Sequence, residues 1–174
     1  LYKNLITQYR TDVIHEKALS TVALADYQAA VFVGVTDIST GLAEKLDGWI
    51  RSGGGLLNFA SANMNAAALN AFYQKAGVGR FNQVVRYDQP VGFAQPDLGN
   101  LLFQTVFARI KANAEFDGAA INRIYDFTPL DQGVQNVIIR DRNNRVVLHE
   151  ARVGGGRIFT CTLYPTLDWS DFPI

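Results

Sequence analysis

The sequence holds little of the chemistry that usually announces an enzyme. Its 174 residues include one cysteine, Cys161, and two histidines, His15 and His149. A lone cysteine cannot close an internal disulfide, and with two distant histidines it makes a poor metal set. No metal or other cofactor is therefore expected. Neither charge is in excess, since 16 Lys and Arg balance 16 Asp and Glu. A protein that grips a polyanion by charge carries a basic surplus, so nucleic acid is not an expected partner. Long apolar runs are missing too: no segment approaches the roughly 20 residues of a membrane span.

What the chain does have is material for a core. Hydrophobic residues make up 48% and charged residues 18%, which suits a compact domain over 1–174. The run Ala29-Ala30-Val31-Phe32-Val33-Gly34-Val35 reads as a strand, spanning 27–35, with both faces covered by helices. A helix follows, capped by Ser39 or Thr40, with Leu42, Leu46, Trp49 and Ile50 on one face and Gly53 at its stop. Leu56-Leu57-Asn58-Phe59-Ala60 is a second buried strand. Asn65 can cap a second helix whose apolar stripe runs through Ala66, Leu69, Phe72, Tyr73 and Ala76 to a stop at Gly77. Strand, helix, strand, helix predicts a parallel α/β sheet.

Elsewhere the pattern is weaker. Residues 2–9 and 98–110 fit amphipathic helices, 11–15 a strand or its approach, and Val84-Val85 a short strand. Pro90 and Pro96 mark loops. Residues 121–127, 134–140, 145–153 and 157–163 read as strands, with a tight turn at Asn143-Asn144 and a glycine link at 154–156. The fold class expected is α/β: a mostly parallel sheet flanked by helices in flavodoxin-like layers, finished by antiparallel C-terminal strands.

Two glycine triplets invite a phosphate-loop interpretation. Gly53-Gly54-Gly55 lies between helix and strand, and Gly154-Gly155-Gly156 between two strands. Phosphate-binding glycines instead lead from a strand into a helix N-terminus, so structural turns are expected. Ser61 is the sharpest catalytic candidate, because it follows one strand and precedes a helix. A serine nucleophile needs a base within reach and a group to orient that base. Gly-x-Ser-x-Gly is absent, with Phe59 and Asn63 at the glycine positions, and neither histidine is near in sequence. Cys161 alternates with Phe159 and Leu163 and reads as a small core residue. Asp168 and Asp171 are too few for calcium, and Trp169 between them suits a buried anchor.

The order of elements resembles the class I glutamine amidotransferase-like fold, on residues 27–33 (Tyr-Gln-Ala-Ala-Val-Phe-Val) and 50–57 (Ile-Arg-Ser-Gly-Gly-Gly-Leu-Leu). Within that fold the chain is similar to soluble domains of bacterial membrane proteins of the BatA (aerotolerance) N-terminal type. Residues 102–107, 152–158 and the closing 167–173 (Leu-Asp-Trp-Ser-Asp-Phe-Pro) carry that likeness. The resemblance implies a domain cut from a longer, membrane-anchored protein and facing the periplasm. Amidotransferases of this fold place a cysteine at the elbow and a histidine near the C-terminal end. Here Ser61 or Ala62 and Tyr164-Pro165 stand at those places, so no catalytic residue carries over.

The expected function is a non-catalytic ligand-binding or protein-interaction domain of a bacterial envelope protein. Its working surface would be the crevice at the C-terminal ends of the parallel strands, lined by Thr36, Asp37, Ser61, Asn63 and Tyr164. Its partners would be other domains of the same membrane protein or other envelope proteins, with a small molecule or carbohydrate as the further ligand class. The rival is an enzyme, a serine-dependent hydrolase or diverged amidotransferase that uses Ser61. A third alternative is a packing module with an apolar patch near residue 1 and residues 172–174.

Overall fold

The computed structural model describes residues 10–96, 103, 119–131 and 133–171. The sequence expectations for residues 1–9, 98–110 and 172–174 therefore lie almost wholly outside the described residues. Two 3-10 turns, Glu16–Thr21 and Leu24–Asp26, lead into β1 (Ala29–Val33), α1 (Thr40–Arg51), β2 (Gly55–Phe59) and α2 (Ala66–Ala76). After these come β3 (Gly79–Val91), β4 (Ile121–Pro129), β5 (Gln135–Arg140), β6 (Val146–Val153) and β7 (Gly156–Cys161). The main sheet has the order β1-β2-β7-β6-β5, and β3 pairs with β4 in a separate antiparallel sheet. Strands β1, β2 and β7 are mutually parallel, while β6 and β5 join antiparallel. The molecule is thus the expected α/β fold.

Local chemistry explains the element ends. The Ser39 side chain accepts from the Leu42 amide, and Asn65 Oδ1 accepts from the Ala68 amide, so both helices carry a polar N-cap. Gly77 ends α2 in the left-handed region at φ 77°. In the β5–β6 turn Asn144 takes φ 66°, while Asp141 Oδ1 accepts from the Asn143 and Arg145 amides. The two glycine triplets meet each other. The Gly155 amide donates to Arg51 O, and the Arg157 amide donates to Gly54 O, so turn packs on turn with bare backbone.

Both described α-helices cover one face of the sheet. Leu42, Leu46 and Ile50 of α1, with Leu69, Phe72 and Tyr73 of α2, share a core with Phe32, Leu56 and Ile158. Inside that core runs a polar row. Asn58, Thr160 and His149 are neighbours in register across β2, β7 and β6, and all are buried. Asn58 Nδ2 and Thr160 Oγ1 each lie 3.1 Å from the Tyr73 hydroxyl. Burial pushes that hydroxyl up to about 12. On the opposite face, Phe93, Ile121, Ile124 and Cys161 form a second cluster, against which Phe59, Leu148 and Ala119 pack.

Three sequence expectations are corrected. Residues 11–15 form no strand but an irregular approach to the first 3-10 turn. The first strand is shorter than 27–35 and is not covered on both faces. Among the described residues it is an edge strand, and Val31 and Val33 are 59% and 56% exposed. The pair Val84-Val85 belongs to a 13-residue strand that includes Pro90. Proline is tolerated there because among the described residues β3 pairs with β4 alone, with a register irregularity between Arg86 and Val91.

Candidate functional site

The crevice beyond the C-terminal ends of β1, β2 and β7 is built from three loops. The first, after β1, turns at Gly34 (φ 71°) and carries Thr36 and Asp37. Its conformation is fixed from a distance by Glu16. One carboxylate oxygen, Oε1, accepts from Thr36 N (2.7 Å), Thr36 Oγ1 (2.8 Å) and Asp37 N (2.9 Å). Burial opposes the Glu16 charge, yet these three donors outweigh it and hold the carboxyl below its ordinary value.

The second loop, after β2, carries Ser61 and Asn63. Ser61 is buried, its Oγ accepts from the Asn63 amide at 3.4 Å, and its carbonyl accepts from Met64 N. The first two loops are tied together. Asn65 N donates to Thr36 O at 2.6 Å, and Asn65 Nδ2 donates to Asp37 Oδ1 at 3.1 Å. The third loop, after β7, brings the Tyr164 ring against Gly34, where a β-carbon would sit 3.5 Å from Cε2. Tyr164 packs edge-on to Trp169, which is buried and stacked on Tyr125. Trp169 is thus the anchor its sequence position suggested.

The fold brings the five expected residues to one end of the sheet, and Thr36 and Asp37 there border a small cavity. The cavity lined by Thr36, Asp37, Asn58, Met64 and Asn65, with three apolar neighbours, measures about 10 Å³. That is room for about one water molecule. A wider open groove of about 660 Å³ lies at the other end of the strands, where Tyr27, Gln28, Trp49, Gly53 and Gly54 line it. Trp49 Nε1 donates to Tyr27 O at 3.1 Å. Sequence reasoning did not find this groove, because its walls combine segments distant in sequence: 23–28, α1 and the turn at 52–54.

Neither histidine hydrogen-bonds Ser61. Thr160 stands opposite both Asn58 and His149 in register. His149 is therefore two strands across and three residues below Ser61, about 14 Å away at ordinary strand spacing and rise. It is fully buried, and among the described residues neither ring nitrogen has a hydrogen-bond partner. Burial lowers it to about 4, so it is neutral near pH 7. His15 is exposed, and its Nδ1 accepts from the Lys17 amide. Cys161 is buried, and burial pushes its thiol up to about 11. Among the described residues no group of three His, Cys, Asp or Glu could hold a metal ion.

Glu16 is the residue sequence reasoning missed. It acts on Thr36 across 20 positions from a stretch without periodicity, so no local signal marks it. Glu16→Ala is expected to lower stability by about 1–2 kcal/mol, because three donors lose one charged acceptor at a partly exposed site. The depressed carboxyl stabilises the fold above its unfolded value of 4.5, and this contribution fades as pH falls through the folded value. Urea titrations of wild type and variant at pH 7 and pH 3 check both statements: the gap between them narrows in acid.

No protein-family model matches the chain, and no curated protein sequence matches it. Solved structures do share its fold. Cytoplasmic protein STM1381 from Salmonella typhimurium LT2 superposes with a TM-score of 0.69, covering 91% of this chain and 71% of its own, at 13% identity. A ThuA-like protein from Bacteroides uniformis gives 0.57 over 86% of this chain and 64% of its own, at 14% identity. The cold-adapted β-galactosidase from Rahnella sp. R3 gives 0.60 over 82% of this chain, at 9% identity. The chain spans 21% of that galactosidase and of an exo-β-1,4-mannosidase from an Opitutaceae bacterium. At such identities the likeness is one of fold, and it agrees with the class I glutamine amidotransferase-like scaffold.

Proposed function

We propose that this chain is a non-catalytic interaction domain of a bacterial, membrane-anchored envelope protein of the BatA type, exposed to the periplasm. The observation that carries the non-catalytic part is the state of Ser61. It occupies the strand-to-helix turn where this scaffold carries a nucleophile, but the Asn63 amide is its side chain's hydrogen-bond partner among the described residues. No imidazole is placed to take its proton. The tied loops support the choice of a protein partner over a small molecule in the crevice. Ligand pockets enclose roughly 300 Å³ or more, whereas the cavity beside Thr36 and Asp37 holds about 10 Å³. A carbohydrate or other small ligand would find room in the groove beside Trp49 instead.

The envelope setting rests on the sequence resemblance at 102–107, 152–158 and 167–173. Among the described residues no helix is long and apolar enough to cross a membrane. In this proposal the anchor belongs to other parts of the full-length protein. The test is turnover of p-nitrophenyl butyrate and a γ-glutamyl anilide by wild type and Ser61→Ala. Both proteins are expected to match the buffer rate. Hydrolysis by wild type that disappears in Ser61→Ala would overturn the proposal and establish the serine hydrolase in its place.

A further inference from the structure

Strand β1 closes one side of the main sheet, and among the described residues its outer edge is open. There it pairs with β2 alone, from Ala29↔Gly55 to Val33↔Phe59. Among the described residues no backbone group bonds its other side. The preceding segment is attached near the two ends of β1 through side chains, by Tyr27 Oη to Asp12 at 2.9 Å and by Glu16 to Thr36, without backbone pairing. Ala29, Val31 and Val33 share one face and are exposed, the two valines by 59% and 56%. Val31 stands beside Leu57 and Phe159, and Val33 beside Phe59 and Cys161. The apolar rows that enter the second core thus run out bare at this edge.

Natural edge strands are guarded by proline, by charge or by a bulge. Ala29-Ala30-Val31-Phe32-Val33 has none of these, and its register with β2 is unbroken. Whatever completes such an edge must be an extended, uncharged segment with apolar side chains at alternate positions. β1 meets that specification itself. We infer that the open edge of β1 is a self-association surface, on which a second copy of this chain adds its own β1 antiparallel about a two-fold axis at Val31. Val31 then faces the second copy's Val31, and Ala29 faces the second copy's Val33, apolar against apolar with no opposed charges.

The contact is small. Five residues of edge and three short side chains cover on the order of 300–400 Å² per copy, about half of a standard interface. The dimer is therefore weak and forms with rising concentration. This inference is independent of the crevice and of Ser61.

Sedimentation velocity of the 174-residue chain from about 10 to 500 µM reads the association directly. A dimer fraction that grows with concentration is expected. Val31→Lys opposes two like charges across the axis and is expected to reduce that fraction about tenfold at the highest concentration. Val31 is exposed, so the variant should unfold at the wild-type urea midpoint.

Cross-linking fixes the register. Across the axis the two residues 31 have β-carbons about 4.5–5.5 Å apart, near disulfide range, whereas residues 33 lie about 13 Å apart. Mild oxidation should therefore dimerise Val31→Cys and spare Val33→Cys, with the native thiol of Cys161 buried. The inference fails if wild type stays monomeric throughout, if Val31→Lys leaves the dimer undiminished, or if Val33→Cys cross-links as readily as Val31→Cys.

Discussion

Replacing Gly156 with alanine is expected to lower stability by about 4 kcal/mol or more, enough to leave a domain of this size largely unfolded. A β-carbon there would sit 2.2 Å from the carbonyl oxygens of both Gly54 and Ile50. Both obstacles are backbone, and neither can swing aside as a side-chain tip would. Ile50 lies in the last turn of α1 and Gly54 in the turn into β2, so relieving the clash means separating α1 and β2 from β7. Those three elements carry the core around Leu46, Ile50, Leu56 and Ile158. The contrast is Gly48→Ala. An alanine β-carbon at this exposed position in α1 meets nothing within 4 Å. That change should add about 0.5–1 kcal/mol by removing glycine from a helix. Urea unfolding followed by circular dichroism separates the two. A Gly156→Ala midpoint near wild type would mean that the two glycine turns do not pack as described.

Acid should weaken the fold by about 3 kcal/mol through His149 alone. The imidazole is fully buried, has no partner on either nitrogen among the described residues, and packs 5.3 Å from the Phe127 ring. Burial opposes the charged form and lowers the group from 6.5 to about 4. Because the folded value lies below the unfolded one, the unfolded chain takes up the proton first. Stability therefore falls as pH drops from about 6.5 to about 4, by roughly 1.4 kcal/mol per unit of difference. His149→Leu removes the titration and two unpaired polar atoms from the core while nearly keeping side-chain volume. It should be at least as stable as wild type at pH 7 and ahead of it by about 3 kcal/mol more at pH 4. Guanidinium titrations across this range check the difference, since other titrating groups are common to both proteins. Parallel pH curves for the two would contradict it.

The parts of the fold that were legible in the sequence are those set by local chemistry. Ser39, Asn65, Gly77 and Asn144 act on amides a few residues away or take a backbone angle that few other residues tolerate. The same reasoning separated the glycine triplets from phosphate loops, although it gave no hint that they pack on each other. What stayed hidden depends on distant partners. An apolar run such as 29–33 looks the same whether a helix covers both faces or, as here, Val31 and Val33 face outward. Strand β3 reads as only two residues in the sequence because eleven of its thirteen positions are exposed or half-buried and seven of those are polar, which erases the alternation.

The candidate site divides along the same line. The strand-turn-helix frame was enough to put Thr36, Asp37, Ser61 and Asn63 at one end of the sheet, with Tyr164 beside them. Sequence could not supply Glu16, which organises the first loop from 20 positions away. Nor could it give the register that holds His149 two strands away from Ser61. Whether a serine has a base is a question of strand order, and strand order is not written in spacing.

The proposed function turns on Ser61, which follows β2 and precedes α2 with no imidazole hydrogen-bonded to it. The most direct measurement is intact-mass analysis after incubation with a fluorophosphonate, which phosphonylates serines whose hydroxyl proton is taken up by a neighbouring base. The native protein is expected to keep its unmodified mass, indistinguishable from Ser61→Ala under the same conditions. Stoichiometric addition of one phosphonyl group to the native chain, absent from Ser61→Ala, would contradict the account.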